Sequence, residues 1–226
     1  LLLSLVGNVT ITGIYGTSDN LVRVLLKLVQ SLWRALYPTL SRLRRQTYTH
    51  YLTLCRLSLR YGLIVLVTGA ALGTVIARDL LTVVYDASFA DYAHVLQIAI
   101  WTAPAFLLEL YAVTVLMVEN RPLNSVLITG AHLLVIAILL PLLIGVYGAV
   151  GAAIAVTVAG AIGSSVGIWL LRQNQLPLEL SKIGQIVLAA VVGAGVVWLL
   201  PINWLLKLIG GGLIDLALLW MTGALT

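Results

Sequence analysis

Charge is what this sequence has least of. Only 9 % of its 226 residues are Asp, Glu, Lys or Arg, against about 25 % in soluble domains. The scarcity excludes an ordinary aqueous globular domain. With 61 % hydrophobic residues and a mean hydropathy of +1.08, the composition is that of a polytopic membrane protein. Cysteine is nearly absent too. The single Cys55 excludes an internal disulfide and any cysteine-based metal framework. His50, His94 and His132 are dispersed, without metal-ligand spacing, so no metal is expected. No Gly-rich loop ending in Lys-Ser/Thr occurs, and no cofactor is expected. Leu1 opens directly in an apolar run, with no Met and no basic leader. No cleavable signal peptide is visible, and the chain is expected to be a piece of a longer protein.

What is present is a series of long apolar runs. Residues 1–6 read as the end of one span. Further spans are expected at about 17–41, 54–77, 92–118, 123–144, 148–171, 182–200 and 203–224, the last broken by Gly210, Gly211 and Gly212. Their lengths are near the roughly 20 residues that cross a bilayer as a helix. The runs are long and do not alternate, which excludes strands. The fold class is therefore an all-α integral membrane protein with about seven transmembrane helices. Residues 7–16 are expected to be a Gly-rich connection, 78–93 a polar segment, 118–125 a tight turn, 143–151 a Gly-rich turn and 171–182 a loop.

The helix at 17–41 departs from the others. At 3.6 residues per turn, Asp19, Arg23, Lys27, Gln30, Arg34 and Ser41 fall on one narrow face. Pro38 is expected to end or kink the helix. Charges inside a span are costly and usually face a bundle interior or a water-filled cavity. Arg23, Lys27 and Arg34 then line a polar path. The other readings are a helix lying flat on the membrane, and cations that snorkel to its surfaces. Lys27, about 6 Å deeper than Arg23, is the cation that snorkelling serves least well. Glu109 is the only acid well inside the third span. It shares a depth with Arg34, and the two are expected to face one polar interior, against the alternative that Glu109 only reaches the interface.

Placing the loops accounts for the net charge of +5. With residues 42–45 cytoplasmic, one side collects Arg42, Arg44, Arg45, Arg56, Arg60, Arg121, Arg172 and Lys182. The other holds Arg78 and Lys207, with Asp19, Asp79, Asp86 and Asp91. Eight basic residues against two is the asymmetry of a positive-inside protein. No nucleic-acid partner is needed.

Other patterns have simpler readings. Gly151, Ala155, Ala159, Gly163 and Gly167 recur every four residues, a small-residue stripe for close helix approach. Gly69 and Gly73 repeat that spacing. Residues 163–167 match GxSxG, but a hydrolase nucleophile needs a strand-to-helix elbow, which a membrane helix cannot supply. His132, in mid-span, fits hydrogen-bonded packing better than proton relay. The Asn8 sequon carries no assignment. Asp215, near three glycines, is placed where it could cap a broken helix and is assigned no function.

Several blocks in fixed order carry a resemblance: a helix ending in YPTLSRL, then VVYDASFADYAHVLQI, then LITGAHLLVIAILLPLLIGVYGAVGAAIA. The sequence resembles the C-terminal half of Wzx-like polysaccharide flippases, in the multidrug/oligosaccharidyl-lipid/polysaccharide export superfamily. Residues 141–155, a proline and then G-x-x-G-A-A, are the most specific block. Asp86 stands where the family commonly has glycine after the tyrosine. The resemblance implies the C-terminal lobe of a MATE-like two-lobed transporter. Residues 1–171 would form the lobe's bundle, its first helix truncated, and 172–226 two additional helices. It implies a cargo of polyprenyl-pyrophosphate-linked oligosaccharide, flipped across the inner (plasma) membrane by alternating access, with membrane lipids and the N-terminal lobe as partners. Arg23, Lys27, Arg34 and Glu109 are the candidate cavity residues; no catalytic residue is expected. The other functions to be weighed are a cation-coupled drug or metabolite exporter of the same superfamily, a membrane-embedded glycan polymerase and a non-transporting scaffold. The exporter would favour acids in its cavity, and the polymerase would need a larger outer loop than 79–91.

Overall fold

The computed structural model describes residues 9–176, 178, 180–199 and 203–221, and every long element in it is a helix. The end of a span expected at 1–6, and the Asn8 sequon, lie outside these residues. The helices are α1 (Val9–Gln46), α2 (Tyr48–Val84), α3 (Ala93–Ala99), α4 (Thr102–Val118), α5 (Pro122–Gln173), α6 (Leu180–Leu199) and α7 (Trp204–Met221). A short 3₁₀ turn, Ala87–Tyr92, precedes α3. The fold is all-α, built from long, largely apolar helices. Among the described residues, Tyr48–Val84, Ala87–Val118 and Pro122–Gln173 are long and apolar enough to cross a membrane. At 38 residues, about 57 Å, α1 is also long enough, but its polar face lowers its hydropathy below theirs.

Several boundaries differ from the sequence expectation, each for a local reason. From Val9 onward, the expected Gly-rich connection is already helical. Pro38 neither ends nor interrupts α1, which runs on to Gln46. Its ring lies on the exposed side, so it costs only the bond to the Arg34 carbonyl. The expected loop after residue 45 is one residue, Thr47, in an extended conformation. The polar segment is helical to Val84, and a turn follows in which the Asp86 carboxylate accepts from the Ser88 N–H.

Pro104 splits the third span. It has no N–H for the Ile100 carbonyl, which accepts from Ala103 N–H at 3.1 Å instead, and the helix restarts at Thr102. Gly210 to Gly212 do not break α7. A Cβ at Gly211 would collide with Leu72 of α2, so this glycine sets a close helix approach.

The Gly-rich turn expected at 143–151 becomes a sharp fold-back within α5. Gly148 has φ 58° and ψ −130°, a conformation essentially confined to glycine. A Cβ on Gly151 would strike the Leu143 carbonyl oxygen across the bend. Both glycines of G-x-x-G-A-A are thus required by the backbone. The two left-handed non-glycine residues, Asn120 and Gln175, each end a helix in a Schellman turn. There Arg121 N–H donates to the Leu116 carbonyl, and Leu176 N–H to the Leu171 carbonyl, both at 2.9 Å.

The small-residue stripe is a packing face. Gly151, Ala155, Ala159, Gly163 and Gly167 are all buried, while Ala161 is exposed. The stripe's last two glycines lie against α4. A Cβ at Gly167 would sit 2.7 Å from the Ala112 Cβ, and one at Gly163 would sit 2.9 Å from Glu109 Oε2. Of the Gly69–Gly73 pair, only Gly73 is at a contact, facing Ile100. Ala159→Leu is therefore expected to lower stability by about 1–3 kcal/mol through overpacking. Ala161→Leu should be neutral within about 0.5 kcal/mol. Equal melting temperatures for the two variants in detergent would refute the stripe as a packing face.

Two buried clusters follow one another along the bundle. One is built around Trp33, Tyr51, Leu63, Leu107, Tyr111 and Leu116. The other is built around Val22, Ala77, Leu96, Ile144 and Ala152. Trp33 of α1 meets Tyr111 of α4 edge-to-face at 5.5 Å, which fixes α1 on the bundle. Polar contacts tie helix ends together. At one end, the Arg44 guanidinium donates to both Glu119 oxygens at 2.9 and 3.0 Å, and Arg121 donates to Asn174. At the other, the Tyr85 hydroxyl donates to the Thr17 carbonyl. Arg44 and Arg121, both assigned to the cytoplasmic side by sequence, thus take part in contacts at the same end.

Candidate functional site: the cationic face of α1

Arg23, Lys27 and Arg34 project from one side of α1 and all three are exposed. The periodicity demands this. Val22, Val29, Trp33 and Leu40 share a register about 110° round the helix and are buried, which leaves the polar register outward. The three cations are not equivalent. Arg23 Nε donates to Asp19 Oδ2 at 2.5 Å, one turn back, so its charge is neutralised within the helix. Among the described residues, no ion pair is made by Lys27 or Arg34.

Two crevices open along the same face. One, of about 280 Å³, is floored by Gln30, Arg34 and Tyr37 of α1 and walled by Phe106, Leu110 and Thr114 of α4. The other, of about 440 Å³, lies a turn further on, between Tyr37, Pro38, Ser41, Arg42 and Arg45. Tyr37 is common to both. The face therefore offers Lys27, Arg34, Arg42 and Arg45 in sequence along roughly 27 Å of helix. Arginine at such positions binds phosphate oxygens bidentately, and lysine acts as a point charge. The opposite side of α1 faces a largely apolar groove of about 490 Å³, lined by Leu25, Leu28, Leu32 and, from α2, Ser58, Tyr61 and Val65.

Glu109 does not join this site in the described conformation. It is buried, and its Oε2 lies 2.7 Å from His132 Nδ1 on α5. Gly163, on the second arm of α5, makes room for the pair. The contact with Arg34 that shared depth suggests is not formed, because Phe106 and Leu110 present a different side of α4 to α1. The signal for His132 was available in the sequence. It lies at the middle of its own span, within a few ångströms of Glu109 in depth. Its hydrogen bond agrees with the packing role. The α4 wall of the crevice had no sequence signal, since an aromatic and a Leu on a membrane helix read as core.

No family model matches the chain. No curated protein matches it either. Among solved structures it is similar to the lipid II flippase MurJ in an inward closed conformation. The TM-score is 0.80 at 13 % identity, over 94 % of this chain and 47 % of that one. The likeness is one of fold, and the chain spans about half the length of that protein.

Proposed function

We propose that this chain is one lobe of a flippase that moves a polyprenyl-pyrophosphate-linked oligosaccharide from the cytoplasmic to the outer leaflet of the inner membrane. The movement serves cell-surface polysaccharide synthesis and proceeds by alternating access between this lobe and a second one. The observation that carries the reading is the exposed row of Lys27, Arg34, Arg42 and Arg45 beside the Arg34 crevice. Lys27 and Arg34 lie within the span, and among the described residues no acid pairs with them, which suits a doubly charged headgroup that must leave water to cross. The fold supports it as well, since the solved relative is a lipid II flippase. No bond is made or broken in this reading, and the chain acts as a transporter. Glu109 is assigned to holding α4 against α5 behind the site.

The test is leaflet translocation by the full-length protein in proteoliposomes, with a labelled polyprenyl-pyrophosphate glycan. Lys27→Gln together with Arg34→Gln is expected to slow flipping roughly tenfold or more, the loss of at least one charge-assisted contact. Arg23→Gln should do less, because Asp19 already neutralises Arg23. Unchanged flipping by the double variant at matched protein levels would overturn the assignment.

A further inference from the structure

A carboxyl group stands alone between α2, α6 and α7. Asp215 of α7 is 1 % exposed, and neither of its oxygens has a hydrogen-bond partner among the described residues. Thr68 of α2 faces it with a buried hydroxyl, outside hydrogen-bonding geometry and also unpartnered. From α6 the neighbour is Gly193, where even a Cβ would collide with Asp215 Oδ1. Thr68, Gly193 and Asp215 each lie near the middle of their helices. Since α2 is long and apolar enough to cross a membrane, a carboxyl facing its middle lies far from both ends of that span.

Along the three helices that meet here, no cation among the described residues lies within two turns of it. On α2 the nearest cation along the helix is Arg60, eight residues before Thr68, about 12 Å along the axis. On α7 it is Lys207, again eight residues away, towards the other surface. On α6 the only ionisable residue is Lys182, eleven residues before Gly193, about 16 Å. An isolated carboxylate at this depth costs far more than the packing of two helices returns, and such a group neutralises instead. A metal cation fits poorly, since hard cations take about six oxygen ligands. The side chains here supply two carboxyl oxygens and one hydroxyl.

We infer that Asp215 is a proton-binding site, occupied in this conformation, and that release of its proton is linked to separation of α6 and α7 from α2. Binding balances simply: one proton joins one carboxylate oxygen, and the Thr68 hydroxyl is the polar group that faces the neutral acid. Release sends the proton to water admitted as the helices part. The packed state binds the proton more tightly than the parted one, so its advantage declines as pH rises above the ordinary carboxyl range, about 4. The inference does not rest on the nature of the cargo. It also replaces the capping role, since α7 has no break for Asp215 to cap.

The experiment uses the full-length protein in lipid, with carbon-13-labelled aspartate, read by infrared spectroscopy. A protonated carboxyl band is expected at neutral pH and should vanish in Asp215→Asn. The melting temperature of the wild type should fall as pH rises from mildly acidic to mildly alkaline, with Asp215→Asn losing that part of the slope. Thr68→Val keeps the carboxyl and should shift the band, which keeps the test decisive if Asp215→Asn does not fold. An ionised carboxylate at Asp215 at neutral pH would overturn the inference, as would equal pH slopes or a band indifferent to Thr68→Val. Stabilisation by sodium ions at fixed pH that Asp215→Asn abolishes would assign the site to a metal cation and overturn it as well.

Discussion

Gly151→Ala is expected to be among the most damaging single substitutions in the chain, with a loss of about 3 kcal/mol or more. The reason is local. The two arms of α5 fold back at Gly148, and the bend brings the Leu143 carbonyl to where the new methyl must go. A backbone oxygen cannot rotate away as a side chain can. Relief requires opening the bend, which also moves Ile144, Ala149 and Ala152 out of the buried cluster they share with α3. Gly148→Ala should cost about 1–3 kcal/mol for a different reason, its backbone conformation. Gly145→Ala is the control. Nothing lies within 4 Å of its Cβ position, and alanine is the better helix former. It should be neutral or stabilising by up to about 1 kcal/mol. Melting temperatures in detergent rank the three. A Gly151→Ala protein as stable as Gly145→Ala would show that the fold-back is wrongly placed.

This bend also shows how far the sequence was legible. A Gly-rich stretch between two apolar runs announces a turn, and that much was read correctly. Which glycine takes the positive φ, and which one abuts a carbonyl, depends on how the two arms meet in space. The same division recurs along the chain. Apolar run length located the helices, and the period-four stripe located a face of α5. The cationic face of α1 followed from period 3.6 and emerges as an exposed row. Boundaries failed where capping decided them. Thr47 alone separates α1 from α2, because exposed Pro38 leaves α1 intact and Arg44 finds Glu119 across the bundle end. Proline gave opposite results at two positions. Pro38 is on an open face and is tolerated, whereas at Pro104 the helix breaks and restarts at Thr102, which puts the proline in a first turn. Shared depth with Arg34 suggests one polar interior for Glu109, whereas Glu109 bonds His132 on the α5 side. Depth narrows the candidates, but the rotation of each helix chooses among them, and side-chain packing sets that rotation.

Coupling between Glu109 and His132 is accordingly the expected result of a double-mutant cycle. Glu109 and His132 are both largely withdrawn from solvent, with side chains 10 % and 21 % exposed, and each is the other's hydrogen-bond partner. Glu109→Met keeps the length of the side chain and leaves the imidazole unpaired. His132→Leu leaves the carboxyl unpaired against Gly163. Each single variant should lose about 1–3 kcal/mol, the cost of a buried polar group without its partner. The pair of substitutions removes both polar groups and leaves two apolar side chains in contact across α4 and α5, so the double variant should be no less stable than the worse single. The coupling energy is then about 1–3 kcal/mol. Arg34→Gln, which shares no hydrogen bond with Glu109, should add to Glu109→Met within about 0.5 kcal/mol. Detergent melting curves of the four proteins in each cycle decide between them. Strictly additive losses for Glu109 and His132, with coupling to Arg34 instead, would mean that Glu109 faces α1 and that α4 is rotated from its described setting.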